Sequence, residues 1–168
     1  ITVNAKNSDT KEQANEKNKQ LYKKLAFKIA GQSFILKDRS EANDIRSSFL
    51  KDYKDILKEH GSAFALMEYN ALEQNYNYFI GFEIADQDII KENNFISYEV
   101  GESEYLEVPV ENVEGLKEGY RYTYEDYFPN KKYFHGLGPD IEFYQYDEAS
   151  DDIANVKLFI CLRKNPHA

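Results

Sequence analysis

The chain has a single cysteine, a single methionine and no tryptophan among its 168 residues. With only Cys161, an internal disulfide and any metal site built on paired thiolates are excluded, which suits a reducing, cytoplasmic setting. No apolar run approaches the ~20 residues of a membrane span. No signal-peptide pattern opens the chain, and no membrane partner is expected. Basic charge is scarce as well: 21 Lys and Arg face 30 Asp and Glu, for a net charge of −9. A surface of that sign repels phosphate backbones and attracts cations, which argues against direct contact with DNA or RNA. The first residue is Ile1 rather than methionine, which reads as a fragment or a processed product.

What the chain has in quantity is aromatic surface. Hydrophobic residues make up 42% of it, with 14 Tyr and 11 Phe. The length suits one large domain. Phenylalanine fills a core without further demands, but a buried tyrosine needs a partner for its hydroxyl. So many tyrosines in an acidic chain point to a wet aromatic cleft or to a heavily hydrogen-bonded surface.

Charge divides the chain near residue 24. Ile1 to Lys24 holds six Lys and three acids, a net +3, so the remainder carries −12. Asn4 to Gln20 is nearly free of apolar anchors and reads as a linker or a frayed helix. We therefore assign 1–24 to an N-terminal extension, 25–164 to the folded domain and 165–168 to a tail. Leu25 to Lys37 alternates around Gly31 and predicts a strand with a bulge there. Ser40 is placed to cap a helix whose stripe is Ile45, Phe49, Tyr53, Ile56 and Leu57, ended by Gly61. Phe64–Tyr69 and Tyr76–Ile84 read as a hairpin turning through Asn70–Asn75. Ala85 to Asn94 reads as polar loop.

Phe95–Val100 and Glu104–Val108 are the next predicted strands. A helix capped by Asn112 follows, with a stripe of Leu116, Tyr120, Tyr124, Tyr127 and Phe128 and an end at Pro129 and Asn130. Ile141–Tyr146 and Val156–Leu162 are strands joined by the acidic turn Asp147–Asp152. This second series repeats the first. An offset of 71 carries the first helical stripe onto the second, Phe34 onto Tyr105 and Ile35 onto Leu106. Beyond the helices the offset grows, to 74 for Glu68 and Glu142 and to 80 for Phe79 and Phe159. The expected fold is α+β: two βαββ units, mostly antiparallel, around a pseudo-twofold cleft suited to a small molecule.

Most of the polar motifs have plain structural readings. His60, His135 and His167 read as a helix end, a Gly-rich turn and the tail, with no second ligand at metal spacing. No metal or cofactor is expected, and no nucleophile–base pair stands out. Gly136-Leu137-Gly138-Pro139-Asp140 lacks the spacing of a phosphate loop. The run Asp147 to Asp152 lacks EF-hand spacing, and Cys161 reads as a small buried thiol. The informative strand is Ile141-Glu142-Phe143-Tyr144-Gln145-Tyr146. Alternation puts Glu142, Tyr144 and Tyr146 on one face. A carboxylate flanked by aromatic rings can neutralise a cation while the rings stack on it, although an ordinary half-exposed strand gives the same pattern.

From Leu25 to Lys164 the chain resembles the GyrI-like small-molecule-binding domain, the effector-binding domain of AraC-type and MerR-type regulators. Ala26 to Gly31 is similar to that family's first strand, and Tyr78-Phe79-Ile80-Gly81-Phe82-Glu83 to its "Y-x-I-G-V-E" strand. Gly119-Tyr120 through Glu125-Asp126-Tyr127-Phe128-Pro129 resembles the helix that ends in "E-W-L-P". Gly138-Pro139-Asp140-Ile141-Glu142-Phe143-Tyr144 resembles "G-P-x-x-E-I-Y", and Val156 to Leu162 the closing "x-E-I-Y-I-P-V" strand. Tyr127 stands where the family has Trp, Phe159 where it has Tyr and Cys161 where it has Pro. Ile1-Thr2-Val3 is similar to the joint that follows the DNA-binding part of AraC-type members.

The resemblance implies an SHS2-like duplicated fold that binds lipophilic, often cationic, aromatic compounds, with Glu142 as the counter-charge. Tyr144, Tyr127, Phe159 and Tyr124 would line the cleft, with Phe79 and Glu68 as counterparts from the first half. The expected role is the sensor domain of an AraC-type transcription regulator, not an enzyme. DNA would be reached only through a DNA-binding domain absent from this chain, and a homodimer is compatible with the role. Two other readings stand beside it. One is a stand-alone member that sequesters drugs or hydrolyses reactive electrophiles with Glu142 as general base. The other is a protein inhibitor of the gyrase-inhibiting type.

Overall fold

The computed structural model describes residues 20–24, 26–130 and 133–164. Residues 1–19, which hold most of the expected linker, and His167 with the tail lie outside the described residues. The chain begins with β1 (Gln20–Lys24) and β2 (Phe27–Leu36). A 3-10 turn (Arg39–Glu41) leads into α1 (Ala42–Asp52) and α2 (Lys54–His60). β3 (Ser62–Asn70) and β4 (Asn75–Phe82) form a hairpin, followed by α3 (Gln87–Glu92) and β5 (Ile96–Val100). The second series is β6 (Ser103–Val108), a 3-10 turn (Val113–Gly115), α4 (Leu116–Arg121), a π-helical stretch (Tyr122–Tyr127) and a last 3-10 turn (Phe128–Asn130). It closes with β7 (Tyr133–His135), β8 (Asp140–Asp147) and β9 (Asp152–Lys164).

The strands form one antiparallel sheet in the order β1-β6-β9-β8-β3-β4-β2-β5, with β7 also paired to β9. Between the outer strands the order reads the same from either end. β6-β9-β8 mirrors β2-β4-β3, and the halves meet where β3 runs along β8. The duplicated α+β architecture is therefore present. β1 begins before Leu25, as an edge strand on β6.

Alternation divides the sheet into two apolar faces. Ala63, Ala65, Met67, Tyr78, Tyr144 and Leu158 pack under Phe49, Leu57, Leu116, Tyr120 and Tyr127 of the helical segments. The opposite face carries Ile29, Phe64, Leu66, Phe79, Ile141 and Phe159. The 71-residue offset holds for the helices, whose ten stripe residues all pack on the first face. Even their irregularities correspond. α1 breaks at Tyr53 (φ −111°, ψ 32°), and the +71 counterpart, Tyr124, lies in the π-helical stretch.

The strand offsets through Phe34 and Glu68 need correction, whereas that of 80 puts Phe79 and Phe159 on the same face. Phe34 packs on the helix side, whereas Tyr105 belongs to the opposite face. Glu142 and Glu68 likewise point to opposite faces. A twofold axis normal to an antiparallel ladder passes through a directly opposed pair, so the offset across β3 and β8 must be odd. It is 75 for the opposed pair Leu66 and Ile141. A slip of one residue inverts every side chain.

Other local expectations also change. No bulge occurs at Gly31, because pairing with β4 runs without a break from Ala30 to Leu36. Gly31 instead faces Gly81 at so close an approach that a Cβ on Gly31 would lie 1.9 Å from the Ile80 carbonyl oxygen. Asp38, not Ser40, caps the first helical turn, its carboxylate accepting from the Ser40 amide at 2.7 Å. The segment 85–94 is not all loop. Asp86 caps α3, and Ile90 anchors it in the core. Two adjacent isoleucines in polar sequence are too few to show a helical period. His135 lies in β7 rather than in a turn.

Candidate functional site

The site is built around Glu142, in β8 beside the seam between the halves. Its neighbours across the ladders are Ala65 on β3 and Leu158 on β9. Ala65, and Ala63 opposite Tyr144, are too small to fill the space above the sheet, and tyrosines from three directions enter it. Tyr78 of β4 donates to Glu142 Oε1 at 3.1 Å, and Tyr144 of β8 donates to the same oxygen. Tyr120 of α4 donates to Oε2 at 2.6 Å. Glu142 is completely buried. A buried carboxylate is tolerated only when hydrogen bonds and a counter-charge replace water. The hydroxyls supply the first requirement, and burial with the adjacent Glu142 charge pushes all three well above the ordinary tyrosine value, so they remain donors.

Arg46 supplies the second requirement. Its Nη2 lies 3.4 Å from Glu142 Oε1, with the side chain only 6% exposed. Nη1 donates to Asn43 Oδ1 at 3.0 Å, one turn back on α1. Burial opposes the charged guanidinium, but the oxygens of Tyr144, Glu142 and Tyr78 outweigh it and raise its pKa. The guanidinium also lies 5.5 Å from the centre of the Tyr144 ring. A second arginine, Arg39, sits among three more rings. Its guanidinium carbon is 4.9 Å from the centre of Tyr76, 4.7 Å from Tyr120 and 4.8 Å from Tyr124. This is cation–π range, and the three rings come from both halves of the domain.

A cavity of about 530 Å³ opens at the seam beside this cluster, between α1, α2, the segment 111–114 and the start of β9. Leu50, Leu57, Val113, Ile153 and Val156 give it apolar walls, and Arg46 lines it too. Arg46 thus lies between the cavity and Glu142. On the rim, Asp151 takes contacts from Lys54 Nζ at 3.1 Å and Lys58 Nζ at 3.5 Å, and it also accepts from Tyr146. The acidic turn is therefore a clasp between the β8–β9 hairpin and the helices of the first half.

A second carboxylate lies two residues earlier, at the start of the same strand. Asp140, 2% exposed, accepts at Oδ1 from the Cys161 amide at 3.1 Å, faces His135 Nε2 at 2.9 Å and is bonded by the Tyr124 hydroxyl. Burial and the Asp140 charge raise Tyr124 far above its ordinary value. Burial likewise pushes the Cys161 thiol up. Among the described residues no three His, Cys, Asp or Glu side chains gather as metal ligands.

Of the residues expected to line the cleft, Glu142, Tyr144, Tyr124 and Tyr127 share the helix-side face. Phe159, Phe79 and Glu68 do not join them. Phe79 and Phe159 belong to the opposite apolar face, and Glu68 there accepts from Tyr98 at 2.5 Å. Tyr78, Tyr120, Arg39 and Arg46 were not among the site residues expected from sequence. The signal for Arg46 was available: Ala42, Arg46, Phe49 and Tyr53, at spacings of 4, 3 and 4, share one helix face, and an arginine within an apolar stripe needs a buried anion.

A family model described as Cass2, the integron-associated effector binding protein, matches residues 6–162. The chain belongs to this family. Its fold is that of GyrI-like effector-binding domains. SAV2435 bound to tetraphenylphosphonium aligns with a TM-score of 0.65 and 13% identity, over 89% of this chain and 96% of that one. The integron cassette protein VCH_CASS2 of Vibrio cholerae aligns at 0.62 and 12%, over 86% and 95%. The C-terminal domain of EcmrR aligns at 0.57 and 13%, over 88% and 98%. No curated protein matches the chain in sequence. In this Cass2-family domain the duplicated sheet holds a buried carboxylate, a ring of tyrosine hydroxyls and a cavity at one seam.

Proposed function

We propose that this domain senses lipophilic, cationic aromatic compounds at the seam, with Glu142 as the counter-charge. The observation that carries the reading is a completely buried carboxylate ringed by Tyr78, Tyr120 and Tyr144 and set behind a cavity with mixed apolar and charged walls. A charge in such surroundings acts at an effective dielectric well below that of water, and tyrosine rings add ~0.5–2 kcal/mol per cation–π contact. The fold-level likeness to a protein bound to tetraphenylphosphonium supports the same chemistry. The donors around Glu142 suit a group that holds charge rather than one that takes a proton from water, which favours binding over hydrolysis. A place within a transcription regulator is supported by the likeness to a regulator's C-terminal domain and to EcmrR in its DNA complex. The AraC-type attachment rests on Ile1-Thr2-Val3, outside the described residues.

The test is titration with tetraphenylphosphonium and with neutral triphenylphosphine oxide. Glu142→Gln should weaken the cation about tenfold or more, equivalent to ~1.4 kcal/mol, and leave the neutral compound nearly unchanged. The melting temperature of the variant is recorded alongside. Equal cation affinity in parent and variant would place the site elsewhere.

A further inference from the structure

Both recognition elements of this site already hold a cation, and both cations come from one short segment. Arg46 pairs with Glu142, and Arg39 fills the cage of Tyr76, Tyr120 and Tyr124. The two arginines are seven residues apart, about two helical turns, in the 3-10 turn and the start of α1. Neither is fully satisfied. The Nε atoms of Arg39 and Arg46 are buried without a hydrogen-bond partner among the described residues. The contact from Arg46 to Glu142 is a single one at 3.4 Å, whereas a charge-assisted N–H···O bond is usually about 2.7–2.9 Å and arginine pairs are often two-pronged. Arg46 also faces open volume, because it lines the cavity.

Building on the cation site proposed at Glu142, we infer that Arg39 and Arg46 are resident pseudo-ligands and that an effector binds by exchange with them. The incoming cation takes the place of the Arg46 guanidinium at Glu142, and Arg46 turns out into the cavity, where water restores its missing hydrogen bonds. An aromatic group of the effector replaces Arg39 among the tyrosines. The exchange sets specificity. A small ammonium ion gains little over a guanidinium already in place, so the favoured effector is a bulky, charge-delocalised monocation with two or more rings. Because both arginines belong to the segment 39–46, their release would also loosen the start of α1, giving the first half a conformational response to a ligand held mainly by the second.

The experiment compares tetraphenylphosphonium and tetramethylammonium binding to the parent domain, Arg46→Met, Arg39→Met and Glu142→Gln, with melting temperatures. If the resident guanidinium lowers the competent fraction of the site, Arg46→Met should bind tetraphenylphosphonium about tenfold more tightly, Arg39→Met should also bind it more tightly, and tetramethylammonium should become detectable in Arg46→Met. A second readout needs no variant. In the parent, the side-chain nitrogen resonance of Arg46 should move to the position of a solvated arginine when tetraphenylphosphonium is added. If Glu142→Gln loses the cation while Arg46→Met binds no better than the parent, or if the Arg46 resonance stays in place at saturation, the exchange is wrong and the cation site stands. If neither the parent nor any folded variant binds tetraphenylphosphonium, the cation site falls and the exchange with it.

Discussion

The two halves of the domain share a strand order but divide the charges at their seam. The first half supplies the cations, Arg39 and Arg46, from one 3-10 turn and the helix that follows. The second supplies the carboxylates, Glu142 and Asp140, together with Tyr120, Tyr124 and Tyr144. They differ in the sheet as well. Where the second half sets Tyr105 opposite Cys161, the first sets Gly31 opposite Gly81. Duplication gave both halves the same backbone problem, closing a helix over three strands. Divergence then made one half a lid with charge to contribute and the other a basin that receives it.

The largest effect should come from the glycine pair. A Cβ on Gly31 meets backbone that cannot move aside, so Gly31→Ala should abolish the cooperative thermal melt, whereas Cys161→Ala in the second half should cost only about 1 kcal/mol for a methyl-sized void. A Gly31→Ala protein that melts normally would mean that the halves pair equally closely. Next is the charge division. Glu142→Leu leaves Arg46 buried without its anion and should cost about 3–5 kcal/mol. Arg46→Met should cost less, since three hydroxyls still serve Glu142. Adding Arg46→Met to Glu142→Leu should recover much of the loss. Denaturant titration of the four proteins measures the coupling, and additive losses would show that the halves are not linked through this pair.

Tyr120→Phe removes one donor to a charged group and should cost about 1.5–3 kcal/mol, also read by denaturant titration. The smallest effect is at the rim. The Tyr146 hydroxyl, then Lys54, lower the pKa of Asp151 from 3.8 to about 2. A lowered carboxylate pKa gives stability that is complete above the unfolded value and lost as pH falls through the folded one. The difference in melting temperature between the parent and Asp151→Asn should therefore be constant above about pH 4 and vanish near pH 2. Since the group is exposed, the difference should also shrink with added salt.

Much of this was legible from periodicity alone. The two helical stripes, both hairpins and the parity of Glu142 with Tyr144 depend on local spacing, and local spacing survives folding. What sequence reading lost was absolute register. An offset that equates Glu68 with Glu142 is only one residue from the true relation, but in a strand one residue is the whole difference between the two faces. Glu68 was misplaced relative to Glu142 for that reason, whereas Phe79 and Phe159 do correspond to each other but both lie on the opposite face. The partners of Glu142 were hidden for another: Tyr78, Tyr120 and Arg46 lie 64, 22 and 96 positions away. Their spacing carries no periodic signal, and only the inward arginine on α1 hinted at a buried anion.

The ladder at the centre of the sheet has a consequence for the order of assembly. The hairpins β3–β4 and β8–β9 close over short turns, whereas β3 and β8 join residues 73 to 83 positions apart. Closing so long a loop costs entropy before any pairing repays it, so the hairpins should form first and the seam after them. Cavity, carboxylate and resident arginines then come together only after the rate-limiting step. An effector added during refolding should leave the folding rate untouched and slow unfolding alone. Its grip on the protein would be felt as a longer lifetime of the finished molecule, with no help given to the making of it.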